Sequence, residues 1–275
     1  MSKLHARRWL PLWLRGSRCQ PVVCSRTGSA WRPAVELLED RLSPAVFSPT
    51  PSDLLVSNSL RDSVISANGN NQNNLFILSA NVHRLTLTNS GGQENAAQKG
   101  DLDLTGAGRT YTFLGAGPDL TVIDASGIDR AFQLFPGVTA VFENLTIIGG
   151  VAVDDGSAGA FPGTGVAQGG AILNNGGTLV LRNVKLQNNV ARGADGLNGL
   201  SSAPGTTGQS ARGGAISSSG DTTLDGVTLT LNQAVAGNGG AGGNGDTGGD
   251  GAAGGNAGSA QGGAVFSTAA LTVRN

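Results

Sequence analysis

The sequence predicts an all-β solenoid, a right-handed parallel β-helix with a short N-terminal capping helix behind a disordered basic N-terminus. Three observations lead there. Four segments of the chain align as repeats. Within them apolar and polar residues alternate, which is the period of a strand and not of a helix. Each strand is too short to bury its apolar face alone, so successive units must stack.

The repeats read AFQLFPGVTAVFENLTII at 131–148, GGAILNNGGTLVLRNVKLQNN at 169–189, GGAISSSGDTTLDGVTLTLN at 213–232 and GGAVFSTAALTVRN at 262–275. Aligned, they put Phe142, Leu181, Leu224 and Val273 in one inward row. Equivalent strands one coil apart then pair in parallel, ~4.8 Å along the axis, and the usual crossover preference makes the winding right-handed. A polar corner follows at Asn144, Asn183, Gly226 and Asn275. Asn tolerates the left-handed backbone of a sharp corner, so Asn144, Asn183 and Asn275 are expected to stack as a hydrogen-bonded ladder that Gly226 interrupts. Earlier coils are expected around Leu75–Leu78, Leu85–Thr88, Leu102–Leu104, Tyr111–Phe113 and Leu120–Asp124.

Ahead of the coils, residues 58–68 read NSLRDSVISAN. Leu60, Val64 and Ala67 share a helical face, and Ser59 with Asp62 three residues on suits an N-cap. A cap at about 55–70, carried by Ser59, Leu60, Arg61, Asp62 and Val64, would cover the unpaired edge of the first coil.

Composition divides the chain in two. Residues 1–48 hold eight Lys/Arg against three acids, all three Trp, and both Cys (Cys19 and Cys24). The remainder is acidic. Charged residues make up 13% of the whole, about half the ~25% of ordinary soluble domains. The net charge of −1 argues against a nucleic-acid partner, and no apolar run reaches the ~18 residues of a spanning helix. The domains expected are therefore a basic export segment at 1–48 and a β-helix at 49–275. Three glycine-rich insertions, 149–169, 192–212 and 236–262, leave one recurring corner as solvated flexible loops. The chain stops inside an unfinished coil, so a longer protein, or a coil end covered by another chain, is expected.

Two stretches carry a family likeness. Ser59-Leu60-Arg61-Asp62-Ser63-Val64 with Ala67-Asn68 resembles the Ser-Leu-Arg-Glu-Ala-Ile…Ala-Asn box that opens many bacterial β-helix surface proteins. Here Asn58 replaces its leading Cys. The Gly-Gly-Ala-Ile units resemble the repeats of polymorphic outer-membrane proteins and of pectate-lyase-like β-helices. Leu38-Glu39-Asp40-Arg41-Leu42-Ser43-Pro44 resembles a box near the start of many exported bacterial proteins. The likeness implies an extracellular, cell-surface or outer-membrane protein with a structural or adhesive role. It also implies a surface glycan, protein ligand or matrix as partner.

No catalytic set emerges. A glycosidase needs two carboxyl groups on one face, and the candidates Asp124, Asp129, Glu143, Asp154, Asp155, Asp221 and Asp225 show no such pair in sequence. Glu143, Arg182 and Asp225 are expected to form an outward charge row with Lys185 nearby, and His83 is expected at the surface. Gly242 to Thr247 approaches a calcium nonapeptide but has Thr247 at a ligand position. Asp246 and Asp250 are the candidate metal ligands, and no cofactor other than calcium is considered. A polysaccharide lyase or hydrolase and a calcium-dependent binding module are the alternative functions.

Overall fold

The structure, a computed structural model, describes residues 43–89, 91–245 and 249–275. Among them the chain is all-β with one helix. The strands form four sheets in which the neighbours pair in parallel. Tight turns cannot join parallel neighbours, so each pair is separated by a long crossover.

The first sheet runs through Ala45–Phe47, Asn74–Ile77, Thr110–Leu114, Thr139–Ile148, Thr178–Gln187, Thr222–Asp225 and Leu271–Arg274. The second holds Leu102–Leu104, Phe132–Leu134, Ile172–Asn174, Ile216–Ser218 and Val265–Ser267. The third joins Val151–Ala152, Val190–Arg192 and Gln233–Val235, and the fourth Ala167–Gln168, Ala211–Arg212 and Ala260–Gln261. The register aligns Phe142, Leu181, Leu224 and Val273 as their spacing requires. It also extends the row backwards through Phe113, Phe76 and Phe47. Four phenyl rings stack along it at centroid separations of 5.1, 4.4 and 4.9 Å, close to the strand spacing itself. Phe132 of the second sheet meets Phe113 and Phe142 edge-on. The row is buried from Phe76 through Leu224, while Phe47 is half-buried and Val273 exposed.

The helix spans Leu60–Gly69, and Ser59 Oγ accepts from the Asp62 N–H at 3.0 Å as its N-cap. Leu60, Val64 and Ala67 enter the same core as Phe76, Leu102 and Leu104.

Several expectations change. Ala45–Phe47, placed by sequence in the basic segment, is a strand, because Phe47 continues the aromatic row. The rest of that segment (through Leu42, with Cys19 and Cys24) lies outside the described residues. Val82–Arg84, and not Leu85–Thr88, forms the early strand beside Val122–Asp124. The Asn ladder is present but shorter: Asn183 Nδ2 donates to Asn144 Oδ1 at 2.7 Å, both with positive φ. Asn275 follows the Asp225–Arg274 pair and so falls beside Gly226, which has no side chain to meet it. A second pair, unforeseen, is buried at the next corner: Asn189 Nδ2 donates to Asn232 Oδ1 at 2.9 Å.

The largest change concerns the glycine-rich insertions. They do leave at equivalent places, after Val151–Ala152, Val190–Arg192 and Gln233–Val235, and return through the fourth sheet. The two long ones are not loose loops. Gly193, Gly196, Gly199 and Ser202 donate their N–H groups to the carbonyls of Val235, Asn238, Ala241 and Asn244. The return leg closes on its own outward leg through Thr206 N–H to Leu197 O and Gln209 N–H to Ala194 O. The second insertion repeats this, with Gly255 N–H on Gly240 O and Gly258 N–H on Gly237 O. Gly205 and Gly208 bind Ala253 O and Asn256 O, and Gly237, Gly240 and Gly243 bind Gln209 O, Thr206 O and Ala203 O. Every contact recurs at the third residue, the period of a polyproline-II helix. Four such segments pack as a bundle whose interior is backbone. A Cβ on Gly240 would lie 2.0 Å from Leu197 O, so only glycine fits there.

Candidate functional site

The charge row predicted from sequence exists and is longer than expected. Glu143, Arg182, Asp225 and Arg274 are successive partners in register. Glu143 and Arg182 form an ion pair, as do Lys185 and Asp119. Arg182 is half-exposed, so the Glu143 pair contributes ~0–1 kcal/mol. Asp124 is tied to Arg84 at 3.0 Å. Of the calcium candidates, Asp246 lies outside the described residues and Asp250 is exposed. Among the described residues, no group of three or more His, Cys, Asp or Glu side chains is placed to hold a metal ion.

The main concentration of charge is internal and centres on two fully buried arginines. Arg61, one residue into the helix, turns inward. Its Nε donates to Asp53 Oδ1 at 2.7 Å, and its guanidinium also reaches the carbonyls of Ala97, Gly100 and Asp101. Asp53 Oδ2 accepts the Leu87 N–H at 2.9 Å. Arg130 sits among Asp154 at 2.6 Å, Asp101 at 3.3 Å and Asp129 at 3.7 Å. Gln93 and Asn89 complete the set through Asp101 Oδ1 and Asp129 Oδ2. Burial opposes the charge on Arg130, but the surrounding carboxylates outweigh it and hold the guanidinium protonated. Burial raises Asp101, Asp129 and Asp103, the last to about 8. Asp129 and Asp154, candidate acids from sequence, border a cavity of about 40 Å³ here. That is room for a water, not a sugar, and both acids are committed to Arg130. The cluster ties Asn89, Gln93 and Asp101 to Asp129, Arg130 and Asp154.

His83 corrects another expectation: it is buried, not at the surface. It begins an inward row that continues as Ile123, Ile147, Leu186 and Leu229. Neither ring nitrogen has a well-formed hydrogen bond. Burial pushes its pKa down, and backbone groups of Ser79 and Thr50 only partly offset this.

A polar cleft on the flank of the second sheet escaped the sequence reading. Along that sheet's outward row, Leu173, Ser217 and Phe266 are partners in register. Serine between two large residues leaves a dent of about 150 Å³. Gln168 and Arg212 form one lip, Asn175, Ser219 and Thr268 the other. The Arg212 guanidinium lies over the Phe266 ring at 5.1 Å, and its Nε donates to Gln261 Oε1 at 3.0 Å. Only the register of three strands puts the small residue between the large ones.

Compared with known proteins, the chain matches no family model, no curated protein and no solved structure.

Proposed function

We propose that this chain is an exported surface scaffold: a right-handed parallel β-helix that displays its glycine-rich bundle and flanks to a glycan, protein or matrix partner. The carrying observation is positional. Insertions of different length leave the strand stack at one equivalent place and return at another, so the stack tolerates variation on that side alone. Solenoids place their variable binding features this way. The helix at Leu60–Gly69 serves as the cap of the first coil, and the basic residues of 1–48 serve export. The likeness of the Ser59–Asn68 box and the Gly-Gly-Ala units to bacterial surface proteins supports the same reading. No helix among the described residues is long and apolar enough to cross a membrane.

The test has two arms. Residues 1–48 fused to a reporter that is active only outside the cytoplasm are expected to carry it out of a bacterial host. The intact protein is expected to be cleaved when protease is added to whole producing cells. Reporter retention together with protease resistance overturns the reading. Turnover of a polysaccharide panel by purified protein replaces it with an enzyme.

A further inference from the structure

We propose that the cleft beside Arg212 binds one acidic sugar unit, its anionic group on the guanidinium and its ring hydroxyls on the surrounding amides and hydroxyls. The inference rests on the surface-scaffold reading and names what one flank of that scaffold takes.

Size, charge and hydrogen-bonding chemistry each narrow the ligand. A cleft of about 150 Å³ is well below the ~300–1,000 Å³ of drug-sized sites, so it takes a single ring. Its lining holds one cation and no carboxylate, and among the described residues no acid lies within ion-pairing distance of Arg212. Stacking on Phe266 and the Nε bond to Gln261 fix the guanidinium plane, while neither Nη group makes a hydrogen bond among the described residues. A guanidinium so held presents a fork that matches an anionic group.

The other groups suit a polyol. Amides and hydroxyls both donate and accept, as neighbouring sugar hydroxyls require. Gln168 spends its Oε1 on Ser217 and keeps its Nε2, and the Asn175 amide makes no bond among the described residues. An extended peptide would need strand-edge backbone groups. Ile172–Asn174 and Ile216–Ser218 have strand partners on both sides, and the one open edge, that of Val265–Ser267, lies on the side away from Ser217. Without a carboxylate in the lining, the cleft is a place of binding and not of general acid–base cleavage.

The experiment is a ligand-observed NMR titration of the full chain with N-acetylneuraminate, glucuronate and glucose. Both acids are expected to bind in the millimolar range, and glucose at least about tenfold more weakly. Arg212→Gln is expected to lose at least about tenfold in affinity for the acids. Ser217→Leu fills the dent with the residue already tolerated at Leu173, and is expected to abolish binding while the melting temperature holds. Equal binding of glucose and the acids overturns the proposal, as does wild-type affinity in both variants. Export plays no part in the titration. A protein that binds but is not exported overturns only the scaffold reading, and one that is exported but ignores the acids overturns only this inference.

Discussion

The strand stack and the glycine-rich bundle are built by opposite means. In the stack the core is side chain: Phe47, Phe76, Phe113 and Phe142 lie ring on ring, with Leu181 and Leu224 behind them. In the bundle the core is backbone. Glycines at every third position let four segments approach until N–H groups at that spacing find carbonyls, and the large apolar side chains, Leu197 and Leu200, are exposed. The stack gains stability by taking apolar area out of water, roughly 25 cal/mol per Å². The bundle gains little from burial and depends on satisfied hydrogen bonds, each contributing about 1 kcal/mol net. One chain thus contains a region that tolerates conservative changes of size and a region where, at its closest approaches, no added atom fits.

The largest effect is expected in the stack. Phe113 is buried between Phe76 and Phe142, so Phe113→Ala is expected to cost about 3–5 kcal/mol. Denaturant unfolding followed by circular dichroism measures this. A loss below about 1 kcal/mol would mean that the aromatic row does not hold the strands together.

Next comes the bundle, where the effect is local. Gly240→Ala puts a methyl about 2.0 Å from Leu197 O, a clash that only separation of the segments relieves. It is expected to cost about 1–3 kcal/mol and to speed amide exchange across residues 193–209 and 237–258. The unfolding midpoint of the stack should stay nearly unchanged. Gly254→Ala is the internal control, because its nearest neighbour would stand 3.4 Å away. Equal protection in both variants would break the comparison.

The sequence displays these regions unequally. Alternation at Phe142, Leu181, Leu224 and Val273 is a period-two signal that survives in any compact structure, and so the strands and their register could be read directly. The helix was legible because Ser59 and Asp62 mark its start. The bundle has an equally regular signal, Gly193-Gly196-Gly199 and Gly237-Gly240-Gly243. Its period of three binds no side chains, and glycine-rich composition in isolation describes a linker just as well. His83 reads as a surface residue because polarity normally means exposure, and nothing in the sequence marks Arg61 or Arg130 as buried. The arginines' partners Asp53, Asp101 and Asp154 lie in other segments, so only the folded chain brings them together. The cleft failed for the same reason: Ser217 is informative only once Leu173 and Phe266 flank it.

The stack's own polar intrusions have pH signatures of opposite sign. Asp103 is raised from 3.8 to about 8, chiefly by burial. The folded chain therefore keeps a proton that the unfolded chain releases, and the stability this gives is full below pH ~4 and is lost as pH rises towards ~8. Asp103→Asn is permanently neutral and keeps an acceptor for the Ala97 N–H now bound by Asp103. It is expected to flatten that alkaline decline. Unfolding midpoints from pH 4 to 8 measure it, and identical slopes in the two proteins would exclude Asp103 as the source.

The smallest effect is expected at His83. Its lowered pKa means the unfolded chain binds a proton at or below its ordinary 6.5 that the folded chain resists. Its contribution is thus intact above pH 6.5 and declines as pH falls below that value. The next residues in its row are Ile123, Ile147 and Leu186, and its ring nitrogens lack well-formed hydrogen bonds. Replacing an unsatisfied polar ring with an apolar side chain of similar bulk removes a desolvation cost without opening a large cavity. His83→Leu is expected to raise stability by about 1 kcal/mol at pH 7, and by more at pH 5, where the wild type is also penalised for charging the ring. Thermal melts at the two pH values check both the gain and its growth with acidity. A variant less stable than wild type at pH 5 would show that the imidazole has a partner worth keeping, and that the row tolerates polarity better than the aromatic stack beside it.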